Sequence, residues 1–243
     1  MNGVGEADDV EGREIVVPAG GGAPETPAYA ALPPGATRGL VVIHEIFGRQ
    51  PEIDRVVHRL ARAGYAVVAP DLFARGRAAC VLEVFSKTMR TGEGVAAEQG
   101  KNARAWLANE ARIDVSRIGL VGFCFGGGYA LATGRGWGAV SANYGPVPSE
   151  AALRGIGPTL ACYAGRDRSM RGNADKLRRR LERVGAEHDV RVVADVGHSF
   201  LTDGHHPVAK AFSGFWMGLG DYPEAREDGW REILAFLDRA LGD

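Results

Sequence analysis

The sequence predicts an α/β fold in which a mostly parallel central sheet carries helices on both faces. Apolar runs rich in Val and Ile alternate along the chain with segments of helical period, and this alternation is typical of parallel strands joined by crossover helices. The run that begins at residue 39 is continuously apolar, as expected of a strand buried on both faces. We expect a single domain over residues 12–243, preceded by a loose tail over residues 1–11.

The predicted elements follow in order along the chain. Two early strands are expected over residues 12–20 and 28–35, joined by a turn rich in Gly and Pro. Residues 52–64 form the first predicted helix, because their apolar side chains recur at helical spacing and Gly64 ends the pattern. The remaining strands are expected over residues 39–48, 65–72, 117–123, 138–145, 159–165 and 188–195. The remaining helices are expected over residues 93–109 and 175–185, after residue 123, and around Trp230, Ile233, Leu234 and Leu237.

The composition argues against several classes of function. Apolar residues make up 45% of the chain and charged residues 24%, as in ordinary globular proteins. The 29 basic and 30 acidic residues nearly cancel, which argues against a nucleic-acid partner, since phosphate binding requires a basic surface. The N-terminus has no apolar signal segment, and no run approaches the ~20 apolar residues of a membrane span. We therefore expect a cytoplasmic protein without a membrane partner, either a monomer or a small homo-oligomer.

The cysteine pattern points to one reactive position. Cys80, Cys124 and Cys162 show no C-x-x-C spacing, which argues against a disulfide framework or a zinc site. Cys124, however, stands between a predicted strand and a glycine-rich run, in a G-x-C-x-G pattern that extends from Gly122 to Gly126.

The pattern is related to G-x-S-x-G, the sharp strand-to-helix turn that exposes a nucleophile. Glycine at both outer positions avoids collisions with the neighbouring strand and helix. The N-terminus of the following helix favours a thiolate, and the backbone N–H of Phe125 is positioned to stabilise an oxyanion. The alternative interpretation of Cys124 is a buried structural cysteine beside a tightly packed helix.

Two further residues complete a candidate catalytic triad. Asp167 and His198 each follow a predicted strand, and the chain order is nucleophile, acid, base. Because reactive residues collect past the carboxyl ends of parallel strands, we expect the three side chains at one edge of the sheet. Cys124 would attack a carbonyl and form an acyl-thioester, His198 would move protons, and Asp167 would orient the imidazole. Asp195 is the competing acid, less favourable because it precedes His198 by only three residues.

At these residues the sequence resembles the dienelactone hydrolase family of α/β-hydrolases. Five motifs carry the resemblance in order, over roughly residues 12–240: HEIFG at 44–48, PDLFAR at 70–75, GFCFGG at 122–127, AGRDRS at 164–169 and GHSF at 197–200. The resemblance implies an α/β-hydrolase fold and hydrolysis of a small ester or lactone without a cofactor.

The resemblance also implies roles for three further residues. Glu45 matches the acid that holds the proton of the nucleophilic cysteine in the resting enzyme. The backbone N–H of Ile46 matches the second oxyanion donor, and Arg75 matches one of two arginines that grip a substrate carboxylate. The sequence departs from the family pattern at Thr202, where better-studied members have the second arginine. The carboxylate clamp is therefore incomplete, with Arg166, Arg168 and Arg171 as candidates for a replacement cation.

A histidine pair and a glycine run are weaker signals for a different kind of site. His205 and His206, with Asp203 and His198 nearby, are poor metal ligands because adjacent side chains do not share one face, so we expect no metal. The glycine run after Phe125 has no G-K-[ST] continuation, which argues against a phosphate loop. The alternative function is a non-catalytic protein of the same fold that binds a ligand or senses redox state through Cys124.

Overall fold

An eight-stranded sheet forms the centre of the protein in the computed structural model, which describes residues 10–202 and 216–242 except for the side chain of Arg75. The strands are β1 (Gly12–Val17), β2 (Thr26–Ala31), β3 (Gly39–Ile43), β4 (Ala66–Pro70), β5 (Ile118–Phe123), β6 (Ala139–Asn143), β7 (Thr159–Ala164) and β8 (His188–Val193). Their order across the sheet is β1-β2-β4-β3-β5-β6-β7-β8. Only β2 pairs antiparallel with its neighbours, β1 and β4, and every other described pairing is parallel.

Helices cover both faces of this sheet. They are α1 (Pro51–Arg62), α2 (Arg77–Glu83), α3 (Met89–Thr91), α4 (Val95–Ala111), α5 (Phe125–Thr133), α6 (Glu150–Leu153), α7 (Asn173–Val184) and α8 (Pro223–Leu241). One apolar core joins the sheet to α4, α5 and α7, and a second joins its other face to α1 and α8. The predicted fold class, a mostly parallel sheet between two helical layers, is confirmed. The predicted tail, residues 1–11, falls largely outside the described residues, and the single domain stays a prediction.

Two helical segments differ from the expectation. Between Arg75 and α4, where no element was predicted, the chain forms α2, a π-helical turn over Val84–Thr88, and α3. Gly92 and Gly94 then adopt φ angles of 76° and 142°, which glycine reaches at low cost, and turn the chain into α4. The loop between β6 and β7 contains α6, a single turn capped by Ser149, whose hydroxyl accepts the N–H of Ala152 at 3.2 Å.

The parallel strands bring distant parts of the sequence to one edge of the sheet. Cys124 follows β5 directly, and Tyr144 follows β6 directly. Glu45 lies two residues beyond β3, while Asp167 and His198 lie in the turns after β7 and β8. Because the carboxyl ends of parallel strands share an edge, these side chains converge there.

The close approach of α5 to the end of β3 requires glycine. A Cβ atom at Gly126 would overlap sterically with the carbonyl oxygen of Ile43 and would lie 2.7 Å from the carbonyl oxygen of His44. A Cβ atom at Gly122 would collide with the carbonyl oxygen of Gly126 in the same way. These clashes involve backbone atoms, so the strand, the turn and the helix would have to separate to admit a side chain.

The Gly126→Ala substitution tests this packing. Helix propensity alone predicts that alanine would stabilise α5 by about 1 kcal/mol. We expect the opposite sign, a loss of about 2 kcal/mol or more in the free energy of unfolding, because the new Cβ forces the backbone apart. The matched control is Gly185→Ala, because φ there is 69° and a Cβ atom would meet nothing within 4 Å. This variant should lose only about 1 kcal/mol in the free energy of unfolding, the cost of a left-handed backbone at alanine. Urea unfolding measures both, and a Gly126→Ala protein as stable as wild type would contradict the packing argument.

Candidate active site

Cys124 occupies a strained turn between β5 and α5. Its φ and ψ angles are 54° and −113°, a conformation that L-residues rarely adopt and that is often found at functional sites. The backbone holds it there, since the N–H of Cys124 donates to the carbonyl of Asn143 at 3.0 Å and its own carbonyl accepts the N–H of Gly128. The side chain is half-buried, whereas Cys80 and Cys162 are buried. A strained, accessible thiol at a helix N-terminus is the arrangement that the G-x-C-x-G pattern predicts.

His198 and Asp167 form a buried pair. Nδ1 of His198 lies 2.6 Å from Oδ2 of Asp167, and both side chains are almost wholly excluded from solvent. The other carboxylate oxygen, Oδ1, accepts the backbone N–H of Ser169 at 2.9 Å and its hydroxyl at 2.5 Å. Burial raises the pKa of Asp167, but the hydrogen bonds from His198 and Ser169 outweigh burial, and the net pKa is lowered. Asp167 is therefore an anion positioned to orient the imidazole ring.

The second ring nitrogen of His198, Nε2, is not used by Asp167. Nε2 is buried and has no hydrogen-bond partner at normal distance within residues 10–202 and 216–242, and His198 is electrostatically coupled to Cys124. Burial lowers the pKa of His198. The charge of a Cys124 thiolate and the hydrogen bond to Asp167 outweigh burial and raise that pKa to about 10. The protonated ring is consequently the favoured form near neutral pH when Cys124 is a thiolate.

Asp195, the competing acid, lies elsewhere. Its side chain is 89% exposed and is 3.4 Å from Arg166, while Nδ1 of His198 faces Asp167. The two candidates are thus separated by burial as well as by position, and only Asp167 contacts the histidine.

Glu45 lies beside this triad. Its carboxylate accepts a hydrogen bond from the hydroxyl of Ser199 at 2.9 Å, and Ser199 directly follows His198 in a left-handed conformation with φ of 59°. The hydroxyl of Tyr144 interacts electrostatically with Glu45 and Cys124. Burial, then the charge of Glu45 and, less strongly, that of Cys124 raise the pKa of Tyr144 well above its ordinary value. Side chains from three separate loops, those of Glu45, Tyr144 and His198, therefore come together at the edge of the sheet that carries Cys124.

Ser199 and Tyr144 were not singled out from the sequence. The ring of Tyr144 packs against that of His198, with centroids 4.9 Å apart, and Tyr144 also has a left-handed φ of 42°. The edge rule that selected Cys124 could not select Tyr144, because the strand predicted over residues 138–145 includes it, and only the structure shows that β6 ends at Asn143. Ser199 was visible only as a member of the GHSF motif.

The two expected oxyanion donors belong to distant parts of the chain, one directly after Cys124 and one on the loop after β3. Phe125 is the first residue of α5, so its N–H has no partner within the helix. Ile46 lies on the loop after β3, and the close approach of Gly126 to Ile43 and His44 brings this loop against the start of α5. Both backbone groups thus border the same edge as the thiol.

The structure describes the surroundings of Thr202 and Arg166 but not the side chain of Arg75. Arg75 ends a 3₁₀ turn over Leu72–Arg75, and its side chain lies outside the described part of the chain. Thr202, at the position of the missing second arginine, is buried, and its hydroxyl donates to the carbonyl of Ser199 at 3.1 Å. Of the candidate replacement cations, Arg166 is directed to Asp195.

Two negative observations apply to residues 10–202 and 216–242. No group of three His, Cys, Asp or Glu side chains is arranged there to hold a metal ion, and Asp203, His205 and His206 lie outside those residues. No helix in the same ranges combines the length and the apolar character needed to cross a membrane.

Comparison with known proteins gives a consistent result. The profile of the dienelactone hydrolase family matches residues 26–241. A Methylorubrum extorquens protein with the provisional name carboxymethylenebutenolidase is 26% identical, with 94% of this chain and 81% of the relative covered. The carboxymethylenebutenolidase of Rhodococcus opacus is 26% identical over 90% of this chain and 95% of the relative. A dienelactone hydrolase-like promiscuous phosphotriesterase from metagenomic libraries shares the fold, with a TM-score of 0.75, 20% identity and coverage of 96% and 99%.

The electrostatics of the buried pair can be tested by titration. With Cys124 as a thiolate the pKa of His198 is about 10, and Asp167→Asn should lower it, because the buried imidazolium loses its anionic partner while burial still opposes its charge. At a pH between the wild-type and variant values, His198 is then protonated in wild type and neutral in the variant. Asp195→Asn is the matched control and should leave the pKa unchanged. NMR titration of the His198 Cε1–H signal measures both, and equal shifts in the two variants would contradict the assignment of Asp167.

Proposed function

The chain belongs to the dienelactone hydrolase family and is an ester or lactone hydrolase, and we propose that it cleaves its substrate through Cys124, His198 and Asp167. The contact between Nδ1 of His198 and Asp167 at 2.6 Å carries this proposal. It fixes the imidazole so that the other nitrogen serves the strained, half-buried thiol that follows β5. An ordered nucleophile, base and acid at one sheet edge is the arrangement that acyl transfer requires.

In the first half of the reaction, the Cys124 thiolate attacks the carbonyl carbon of the substrate. The carbonyl oxygen takes up the negative charge, which the backbone N–H groups of Ile46 and Phe125 stabilise. The tetrahedral intermediate then collapses. The bond to the leaving oxygen breaks, the His198 imidazolium protonates that oxygen, and an acyl-thioester remains on Cys124.

In the second half, water completes the hydrolysis. His198, now neutral, removes a proton from a water molecule whose oxygen attacks the thioester carbonyl. The second tetrahedral intermediate expels the Cys124 thiolate and releases the acid product, which restores the thiolate–imidazolium pair. Asp167 stabilises the imidazolium each time it forms. Water is the only co-reactant, so these steps use no cofactor.

Glu45 is proposed to hold the proton of Cys124 before substrate binds, as the family resemblance implies. Its carboxylate is beside the triad, where it accepts the hydroxyl of Ser199. A negative charge at this position opposes a second negative charge on Cys124, whereas the His198 imidazolium favours one. The balance between these two neighbours would keep the thiol protonated until the substrate displaces Glu45, and the thiol proton would then pass to His198 to form the thiolate–imidazolium pair.

The substrate is proposed to be a small ester or lactone, with a carboxylate gripped by Arg75. The relatives named carboxymethylenebutenolidase support a substrate of this class. The hydroxyl of Thr202 is committed to the carbonyl of Ser199, so Arg75 would act without a second cation at that position. We further propose a cytoplasmic protein, monomeric or a small homo-oligomer, with neither nucleic acid nor membrane as partner, which the near-neutral net charge of −1 supports.

The role of the thiol is tested with Cys124→Ala. Over a panel of aryl esters and lactones, kcat/KM should fall by at least about 10³-fold, because the covalent route is lost. Mass spectrometry of the wild-type protein mixed with a slowly deacylating ester should show the acyl adduct on Cys124. Cys80→Ala is the matched control, since Cys80 is the buried residue of α2, and should retain turnover and the adduct.

Two outcomes would contradict the proposal. Turnover that survives in the Cys124→Ala protein would remove the thiol from the mechanism. A wild-type protein that turns over no member of the panel, yet binds one unchanged or is oxidised at Cys124 by dilute peroxide, would favour the ligand-binding or redox-sensing alternative.

The role of Arg75 is tested with two esters of equal size, of which only one carries a carboxylate. Arg75→Gln should raise KM for the carboxylated ester about tenfold or more, because a charge-assisted hydrogen bond is lost, and should leave KM for the neutral ester unchanged. Arg77→Gln, at an exposed position two residues further on, is the matched control. An equal change on both esters would show that Arg75 does not bind the carboxylate.

A further inference from the structure

His44 is a completely buried histidine that the proposed triad does not use. It directly follows β3 and precedes Glu45. Nδ1 lies 2.7 Å from the carbonyl oxygen of Glu45, and Nε2 accepts the backbone N–H of Leu72 at 3.1 Å. Oδ1 of Asp71 is 3.5 Å from Nε2, beyond normal hydrogen-bond distance.

These contacts define one tautomer of the ring. An imidazole nitrogen that accepts a hydrogen bond carries no hydrogen, so Nε2 is unprotonated under the N–H of Leu72. The hydrogen is then on Nδ1, which donates it to the carbonyl of Glu45. His44 therefore acts as a fixed donor, and the backbone of the 3₁₀ turn after β4 sets its orientation.

The carbonyl that His44 holds belongs to the peptide unit whose N–H is that of Ile46. The same carbonyl also accepts the N–H of Gly48 at 3.1 Å. In a trans peptide the C=O and N–H groups point in opposite directions, so two donors on the oxygen determine the direction of the Ile46 N–H. Hydrogen bonds to the oxygen also polarise the peptide and strengthen the N–H as a donor.

The ring of His44 also packs beside that of Phe125, the residue that bears the other proposed oxyanion donor. The imidazole is stacked on the ring of Phe125 with centroids 6.3 Å apart, and Phe73 packs edge-on at 4.6 Å. The side chain thus lies between the residue that bears one N–H and the peptide that bears the other.

We propose that His44 is a positioning residue that holds the Glu45–Ile46 peptide in the orientation that stabilises the oxyanion. The inference rests on the proposed function, since it concerns the transition state of the same hydrolysis. His44 touches neither the thiol nor the leaving group in this role. Its contribution appears only when negative charge develops on the carbonyl oxygen, and kcat rather than KM should report it.

The experiment compares His44→Leu with His44→Asn, two side chains of similar size. The Asn amide nitrogen occupies the place of Nδ1 and can donate to the Glu45 carbonyl, whereas Leu cannot. With an ester that wild type turns over, His44→Leu should lower kcat about tenfold to a hundredfold with little change in KM. His44→Asn should stay within about fivefold of wild type. A trifluoromethyl ketone, whose carbonyl becomes an oxyanion when Cys124 adds to it, should bind more weakly to the Leu variant by a similar factor.

Alkylation of Cys124 by iodoacetamide separates this role from a general structural one. That reaction needs the thiolate but forms no oxyanion, so its rate should stay within about twofold of wild type in both variants. The proposal is overturned if His44→Leu keeps its kcat, if Asn loses as much as Leu, or if alkylation slows in step with kcat. Should the Leu variant fail to fold, His44→Ala replaces it in the same comparison. A Cys124→Ala protein with full activity would instead refute the proposed function, and the two failures are distinguishable.

Discussion

The packing of the first turn of α5 against the end of β3 is the constraint on which the site depends. Gly126 packs against the carbonyl groups of Ile43 and His44, and it packs so closely that a Cβ atom would clash with both oxygens. This contact forces the sharp turn at Cys124, whose backbone strain is of the order of 1–3 kcal/mol. Burial of Phe123 and Phe125 on opposite faces of the sheet, worth roughly 1.5–3 kcal/mol each, offsets that strain. The same contact places the loop of Ile46 beside the start of α5, so it positions both the proposed nucleophile and the two proposed backbone donors.

A second constraint is electrostatic. Asp167 and His198 are buried together, and isolated charges in such a place would be strongly unfavourable. Asp167 remains an anion because His198 and Ser169 supply three hydrogen bonds to its two oxygens. When Cys124 is a thiolate, anions lie on two sides of His198, and its pKa then rises although burial alone would lower it. The pair is thus organised before any substrate arrives, and a preorganised environment needs little rearrangement when charge develops in the reaction.

The sequence predicted well what depends on local pattern. Continuous apolar runs indicated the parallel strands, and the glycines around Cys124 indicated the turn between β5 and α5. It could not predict α6, because a single turn of four residues has no periodicity and its one local signal was the cap at Ser149. The contact of Ser199 with Glu45 spans 154 residues of sequence, and that of Tyr144 with His198 depends on the register of separate strands. Such contacts are properties of the assembled sheet edge, whereas position just past a strand end is visible in the sequence.

Comparison of two cysteines shows how much of the chemistry comes from position rather than residue type. Cys162 lies within β7, the second strand from β5 in the sheet, and close to the carboxyl end of its strand. There, burial raises the pKa of the thiol to about 12, so Cys162 stays protonated and packs as a small apolar side chain. Cys124 is one residue beyond the end of its strand, half-buried, at the N-terminus of a helix and beside a histidine that an aspartate keeps oriented. A shift of a few residues along parallel strands therefore separates a buried core thiol from a half-buried one at a helix N-terminus beside a histidine. The decisive information lies in where the strand ends, and the glycines flanking Cys124 fix that end.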